Sequence, residues 1–262
     1  MRLTIVGSAG SVAGPESPAS CYLIEAETAG RTWRLALDLG SGSLGPLQRY
    51  CNPSRLDAVL ISHGHTDHCA DVGALSVLRR YGPERDEGLP RMPLFGPHGL
   101  DRRVLEIGGD TGPEPSYGDL AEFDFTALQH GARVSLGPFD ITAARAFHPV
   151  PALAYRIEGP SPYQGRATIV FTGDTDRCVE VDELCRGCDL LLGEAGWAHR
   201  LENPPGVHMN GDEVGRLAST SGAARVVITH IASWVQPAET MAQVHAHVPS
   251  AAHALPGQVY EV

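Results

Sequence analysis

The stretch Leu60-Ile-Ser-His-Gly-His-Thr-Asp-His-Cys-Ala-Asp71 constrains this chain more than any other. It sets His63, His65, Asp67 and His68 within six residues, directly after the apolar run Ala58-Val59-Leu60-Ile61, which reads as a buried strand. Neutral imidazole nitrogens and carboxylate oxygens are the usual ligands of zinc and its neighbours in the transition series. Ligands spaced this tightly cannot all close on one ion. In an extended turn His63 and His65, at i and i+2, project to one side. Asp67 and His68 lie where the chain bends into a helix and aim at a different point. Two metal positions follow, each in need of further ligands. The plain alternative, a histidine-rich turn that only caps a helix, does not account for four donors in this order behind a strand.

The missing ligands carry the same signature, an apolar strand that ends in His or Asp. Phe139 to Phe147 runs into His148, and Pro149 stops the strand. Thr168-Ile-Val-Phe-Thr-Gly leads to Asp174, and Val226-Val-Ile-Thr leads to His230. Further strands are predicted at Leu3 to Gly7, Cys21 to Glu27, Thr32 to Asp38, Pro93 to Gly96, Phe123 to Ala127, Ala132 to Ser135, Ala152 to Glu158, Leu190 to Leu192 and Gln258 to Val262. Helices are predicted at Leu44 to Tyr50, Asp67 to Tyr81, Leu100 to Ile107, Val179 to Arg186, Gly211 to Thr220 and Pro237 to His247. Strands dominate early, then alternate with helices. That order suits an α/β fold of two sheets face to face with helices outside, a four-layer αββα sandwich formed by residues 1–262 as a single domain.

Composition narrows the partners. The formal charge is −11, every basic residue is Arg, and no basic face is visible, which argues against a nucleic-acid backbone as a partner. The N-terminal apolar run is too short for a signal-peptide core and no run reaches membrane-spanning length. A cytoplasmic protein with no membrane partner is the expectation, with Cys21, Cys51, Cys69, Cys178, Cys185 and Cys188 as reduced thiols. Cys185 and Cys188, without a second pair, read as packing residues. Gly7-Ser-Ala-Gly-Ser11 follows a strand, but prolines rather than a helix come next, so it reads as a turn near the site and not as a phosphate loop. Residues 108–119, rich in Gly, Pro and acid, read as a surface loop suited to act as a lid. His98, His130, His199 and His253 have no ligand-like context, His245 and His247 face opposite sides of a helix, and Trp197 and Trp234 read as core or rim residues.

His63-x-His65-x-Asp67-His68, then His148, Asp174 in Thr-Gly-Asp and His230 in Thr-His together resemble the metallo-β-lactamase-fold hydrolases, over nearly the whole chain. The resemblance implies the αββα sandwich. It implies one metal held by His63, His65 and His148, a second by Asp67, His68 and His230, and Asp174 bridging both. Zinc suits these donors, and manganese or iron also occupy mixed His/Asp sites. By formal tally two divalent ions bring about +4, while Asp67, Asp174 and a bridging hydroxide bring about −3, so about one positive charge remains to attract an anionic substrate. Paired metals suit a phosphodiester, with Asp67 to orient or deprotonate the attacking water.

Leu190-Leu-Leu-Gly-Glu194-Ala-Gly-Trp, followed by Val207-His208-Met-Asn-Gly, is similar to the phosphodiesterase branch, which includes ribonuclease Z and class II cyclic-nucleotide phosphodiesterases. That similarity implies that His208 gives a proton to the leaving oxygen or binds phosphate, oriented by Glu194. Met-Asn stands where Ser-Thr is usual, which puts the hydroxyl contacts of that motif in question. His148 and Asp174 are only 26 positions apart, which leaves no room for the long tRNA-clamping arm of ribonuclease Z. That favours a small anionic phosphodiester. Gly7-Ser-Ala-Gly-Ser11 with Ser17-Pro-Ala-Ser-Cys21 and Leu44-Gly-Pro-Leu-Gln-Arg-Tyr50 resembles small actinobacterial cyclic-nucleotide phosphodiesterases of this fold, a resemblance that implies 3′,5′-cyclic AMP hydrolysed to AMP. Ribonuclease Z-type RNA cleavage, lactone or thioester hydrolysis, and a non-catalytic metal-binding module are the alternatives. The resemblance also implies a homodimer.

Overall fold

Alternation along the strands decides which way each side chain faces. The computed structural model describes residues 1–108, 120–163, 165–198 and 203–262. Its first half runs Arg2–Gly7 (β1), Ala9–Gly10 (β2), Cys21–Thr28 (β3), Arg31–Leu37 (β4), helix Leu44–Leu47 (α1), Ala58–Leu60 (β5), helices Thr66–Cys69 (α2) and Asp71–Tyr81 (α3), Met92–Pro97 (β6), helix Leu100–Gly108 (α4) and Phe123–Leu128 (β7). The second half runs Arg133–Leu136 (β8), Phe139–Arg145 (β9), Leu153–Pro160 (β10), Arg166–Phe171 (β11), helix Val179–Leu184 (α5), Leu190–Glu194 (β12), helix Gly211–Ser221 (α6), Arg225–Thr229 (β13), Ile231–Ala232 (β14), helix Pro237–His245 (α7), Ala252–His253 (β15) and Val259–Glu261 (β16).

Among the described residues two seven-stranded sheets form, ordered β16-β1-β3-β4-β5-β6-β7 and β15-β13-β12-β11-β10-β9-β8. Leu3, Ile5, Tyr22, Ile24, Leu35, Leu37 and Leu60 of the first sheet share one buried cluster with Ile141, Tyr155, Ile157, Ile169, Phe171, Leu190 and Leu192 of the second. The neighbours of opposite parity point outward. Leu23, Ala36 and Val59 pack with Val72, Leu75 and Val104 of α3 and α4. Val170, Leu191 and Ile228 pack with Val181, Val214, Leu217 and Val244 of α5, α6 and α7. The layers are therefore helix, sheet, sheet, helix. Each fully buried Leu, Ile or Phe of the central layer contributes about 1.5–3 kcal/mol.

Topology gathers the site at one edge. Strands β4 to β7 are parallel in the first sheet, as are β11, β12, β13 and β15 in the second. Ligands bind beyond the carboxyl ends of such strands. The sheets are tied together there: the Leu153 amide donates to Ser62 O at 2.9 Å and the Tyr155 hydroxyl to Ile61 O at 2.8 Å. The Tyr22 hydroxyl lies 2.7 Å from Thr229 Oγ1.

Several predicted elements differ in their ends. The helix expected over Asp67–Tyr81 divides at Ala70, because the Asp71 amide turns out to Leu39 O at 2.9 Å while its carboxylate accepts from Gly42 and Leu44. The strand expected to reach Phe147 stops at Arg145, since the Phe147 amide leaves the ladder for Thr175 Oγ1 at 3.0 Å. The helix expected to Tyr50 closes at Leu47, and that expected to His247 closes at His245. Gly7–Ser11 is more than a turn: Ala9–Gly10 pairs in parallel with Ile231–Ala232 and seats His230. The expected 108–119 lid, beyond Gly108 at the end of α4, lies outside the described residues, as does His199. Among the described residues no helix is long and apolar enough to cross a membrane.

Candidate metal centre

Each site residue sits just beyond the end of a strand. His63 and His65 follow β5, and α2 carries Asp67 and His68. His148 occupies the turn between β9 and β10, Asp174 follows β11 through Gly173 with its φ of 56°, and His230 follows β13 directly. His230 itself has a φ of 57°, a left-handed conformation rare outside glycine. Its amide donates to Ser8 O at 3.0 Å, and a Cβ on Gly10 would come within 2.3 Å of His230 O. Only glycine lets β2 approach closely enough to hold that conformation.

The seven donors converge into two quartets that share Asp174. In the first, His63 Nε2 lies 2.9 Å from His65 Nδ1 and 3.7 Å from Asp174 Oδ2, and His148 Nε2 lies 3.2 Å from His65 Nδ1. In the second, His68 Nε2 and His230 Nε2 are 3.0 Å apart. Asp67 Oδ2 lies 3.3 and 3.2 Å from these two nitrogens, and Asp174 Oδ1 lies 3.2 and 3.3 Å from them. A tetrahedral ion with ligands at about 2.0–2.1 Å places those ligands roughly 3.3 Å from one another. The two carboxylate oxygens of Asp174 point to different quartets, as a bridge requires.

Tautomers are set from outside. His148 Nδ1–H donates to Val207 O at 2.7 Å and His68 Nδ1–H to Asp38 Oδ2 at 2.6 Å, so both Nε2 atoms turn lone pairs inward. Ser62 Oγ lies 3.1 Å from His63 Nδ1. Lone pairs aimed at one another across 3 Å repel unless a cation lies between them. Asp174 Oδ1 is buried without a hydrogen-bond donor, a costly state for a carboxylate that a cation removes. The donor set and this orphaned oxygen fit a metal at each quartet.

Electrostatics agree. Burial pushes His63, His65 and His148 below the ordinary histidine range, which favours the neutral ligand form. Burial also opposes charge on Asp67 and Asp174, but the neighbouring His230 and His68 hold both carboxyls far below their usual range, with His63 adding to the effect at Asp174. Burial opposes a proton on His68 as well, yet Asp174 and Asp38 raise its affinity well above normal. Asp67 and Asp174 are therefore held ionised, the form in which a carboxylate ligates a cation.

Asp38 is not among the expected site residues and stands only as the last residue of the strand predicted from Thr32 to Asp38. It is fully buried with a φ of 57° and accepts from the Ser62 amide at 2.7 Å, Ser62 Oγ at 3.0 Å and Ser20 Oγ at 3.2 Å as well as from His68. Its signal was available, since it too is an acid at the end of an apolar strand.

Glu194 and His208 also arrive at the centre. Glu194, fully buried at the end of β12, accepts from the Thr175 amide at 2.9 Å and the Gly196 amide at 2.6 Å. His208 Nδ1 lies 3.1 Å from Glu194 Oε1 and 3.8 Å from Asp174 Oδ2. Burial opposes its charge, but Glu194 prevails and carries the imidazole up to about 9. Trp197 packs edge-on against this ring at 5.2 Å, a packing role, whereas Trp234 is largely exposed. The Met209 side chain is buried in the outer apolar layer while its amide donates to Glu194 Oε1 at 3.4 Å, and Asn210 Oδ1 caps α6 by accepting from Glu213, so neither side chain stands in for the Ser-Thr hydroxyls. His98 lines a cavity beside His65 rather than the cluster, and Cys185 and Cys188 are free and buried in the outer layer.

Fold and cluster together define a metal-dependent hydrolase of the metallo-β-lactamase fold. Residues 35–231 match the Beta-lactamase superfamily domain, and the chain belongs to that family. It is 37% identical over 268 residues to the uncharacterized protein ML1173 of Mycobacterium leprae, with 100% of this chain and 89% of that one covered. It is 29% identical over 231 residues to the probable metallo-hydrolase YhfI of Bacillus subtilis, covering 88% of this chain and 87% of that one. The crystal structure of YhfI matches with a TM-score of 0.83 at 26% identity, covering 100% and 99% of the two chains. Human tRNase Z, short form, matches with a TM-score of 0.74 at 18% identity over 100% and 99%, a likeness of fold.

Proposed function

We propose that this metallo-hydrolase cleaves a phosphodiester, and that its substrate is a small cyclic nucleotide, 3′,5′-cyclic AMP, converted to AMP. His63, His65, His148 and Asp174 would hold one divalent ion, and Asp67, His68, His230 and Asp174 a second, zinc being the first candidate. The observation that carries this reading is the Glu194–His208 pair set against the bridging carboxylate. Expulsion of an alkoxide from phosphorus calls for an acid of this kind, whereas a thioester expels a thiolate that needs no proton.

When bound, such a pair of ions supplies a nucleophile at neutral pH and steadies the charge of an in-line displacement. The chain's own residues do the rest. Asp67 orients the attacking water and takes its proton. As the water oxygen bonds to phosphorus and the ester P–O bond breaks, His208 gives its Nε2 proton to the departing ribose oxygen. Glu194, which accepts from Nδ1, holds the imidazole in that orientation and favours its charged form. The short β10–β11 connection between His148 and Asp174, together with the charge of −11, supports a small substrate over an RNA. Hydrolysis of cyclic mononucleotides, cyclic dinucleotides, bis(p-nitrophenyl) phosphate and a tRNA precursor by metal-quantified protein tests the reading, with Asp67→Ala as control. Turnover of cyclic mononucleotides, with bis(p-nitrophenyl) phosphate as a slower generic diester and no cleavage of the precursor, is expected, and both activities should be lost in the variant. Equal rates in both proteins, or cleavage of the precursor alone, overturns it.

A further inference from the structure

A cavity of about 290 Å³ opens beside the first quartet. Its walls include Gly64 and His65 from the metal turn, Pro97, Leu100 and Arg103 from the end of β6 and from α4, the exposed His98 between these two elements, and Val150 and Pro151 just past His148. We propose that this cavity receives the nucleoside part of the substrate and that Arg103 is the residue that positions it there. The inference rests on the phosphodiester reading above and names which part of the chain selects the substrate.

Continuity with the centre comes first. His65 is at once a member of the quartet and a wall of the cavity, and Val150 is two residues from His148. A phosphoryl group at the quartet therefore has its ester substituent at the cavity mouth. Size comes next. The volume lies near the low end of the roughly 300–1,000 Å³ usual for small-molecule pockets, which suits one base and sugar and no polymer. The chemistry of the walls points the same way. Pro97 and Leu100 are buried, and with Val150 and Pro151 they offer carbon surfaces between which a flat heterocycle loses its hydration.

Arg103 supplies the polar contact. Its Nε–H donates to Gly64 O at 3.0 Å, which lays the arm across the turn between His63 and His65. A Cβ on Gly64 would stand 3.2 Å from Arg103 Cγ, so glycine keeps the arm close. Among the described residues its guanidinium pairs with Glu106, whose carboxylate stands 3.9 Å from Nη1, too far for a hydrogen bond. Among the described residues the outer N–H groups have no hydrogen-bonded acceptor, which leaves them able to meet a base edge or a phosphate oxygen. In a chain of charge −11, a cation beside the site also favours the approach of an anion.

The test uses the metal-loaded full chain as wild type, Arg103→Ala, Arg103→Lys and Val150→Trp, each checked for native circular dichroism. Two quantities are read: the ratio of kcat/KM for 3′,5′-cyclic AMP to that for bis(p-nitrophenyl) phosphate, and the calorimetric ratio of Kd for AMP to that for ribose 5-phosphate. Loss of about tenfold or more in both ratios is expected in Val150→Trp and Arg103→Ala, chiefly through KM, with little recovery in Arg103→Lys because the planar fork is lost. If Val150→Trp does not fold, Arg103→Ala alone decides, since its side chain is 43% exposed. Ratios within about twofold of wild type in every folded variant overturn the proposal while leaving phosphodiester cleavage intact. Wild-type protein that hydrolyses no phosphodiester yet loses AMP selectivity on substitution separates the outcomes the other way, retaining the cavity and removing the reaction.

Discussion

The quartet around His68 is sealed, whereas the quartet around His65 is open, although both are built on Asp174. Asp67, His68, Asp174 and His230 are all buried, and two carboxylates within that group are backed by a third, Asp38. His63, His65 and His148 bring three imidazoles depressed by burial, share the one carboxylate, and border a cavity. More negative charge and less water make the sealed quartet the stronger cation trap. On the proposed reading the open quartet is the one a substrate meets. The difference separates holding a metal from presenting it, and it can be probed residue by residue.

Asp174→Ala should have the largest effect, because it removes the ligand common to both quartets. Loss of several kcal/mol of charge stabilisation lowers kcat/KM on a phosphodiester by about a thousandfold or more, and metal analysis should find neither ion retained. A variant that keeps one ion at full occupancy would show that the quartets do not depend on a bridge. His208→Asn should come next, with a loss of about 10²–10⁴ in kcat and unchanged metal content. Activity held while metal falls would turn His208 into a ligand.

Asp38→Asn should sharpen the contrast, since Asp38 holds His68 Nδ1 directly and reaches His63 of the open quartet only through Ser62. A drop of about 10–100-fold in affinity for one of two ions is expected from competition with a chromophoric chelator. An equal drop for both would erase the distinction. Glu122→Gln serves as the smallest effect and lies outside both quartets. Burial opposes charge on Glu122, but hydrogen bonds from Arg80 Nε at 2.7 Å and from Ser76 Oγ hold its carboxyl below the ordinary 4.5. A group depressed in the folded state adds stability above its unfolded value and loses it as the pH falls through the folded one. The variant should melt about 2–4 °C lower above pH 4.5, with the deficit closing below that pH and metal content unmoved.

Most of the site was legible because its donors stand where apolar strands end. His63, His65, Asp67 and His68 announce themselves within one turn, and His148, Asp174 and His230 follow the same rule singly. Asp38 obeys it too but lies beside Gly40 and Gly42, and the turn composition masked the buried acid. Parity along Tyr22, Leu23 and Ile24 or along Leu190, Leu191 and Leu192 carried the layers, since these runs are apolar on both faces and need cover on both sides. What sequence could not show was the pairing of Ala9–Gly10 with Ile231–Ala232, which joins residues over 200 positions apart and leaves no local pattern. The cavity beside His65 was equally hidden, because it is assembled from three separate turns.

The central claim, two cations gripped by seven side chains and shared through Asp174, is tested most directly by counting metal. Inductively coupled plasma mass spectrometry on protein of known concentration should find about two divalent ions per wild-type chain, with phosphodiester turnover rising as the second ion is restored after chelation. Full turnover at one ion per chain or fewer would contradict it.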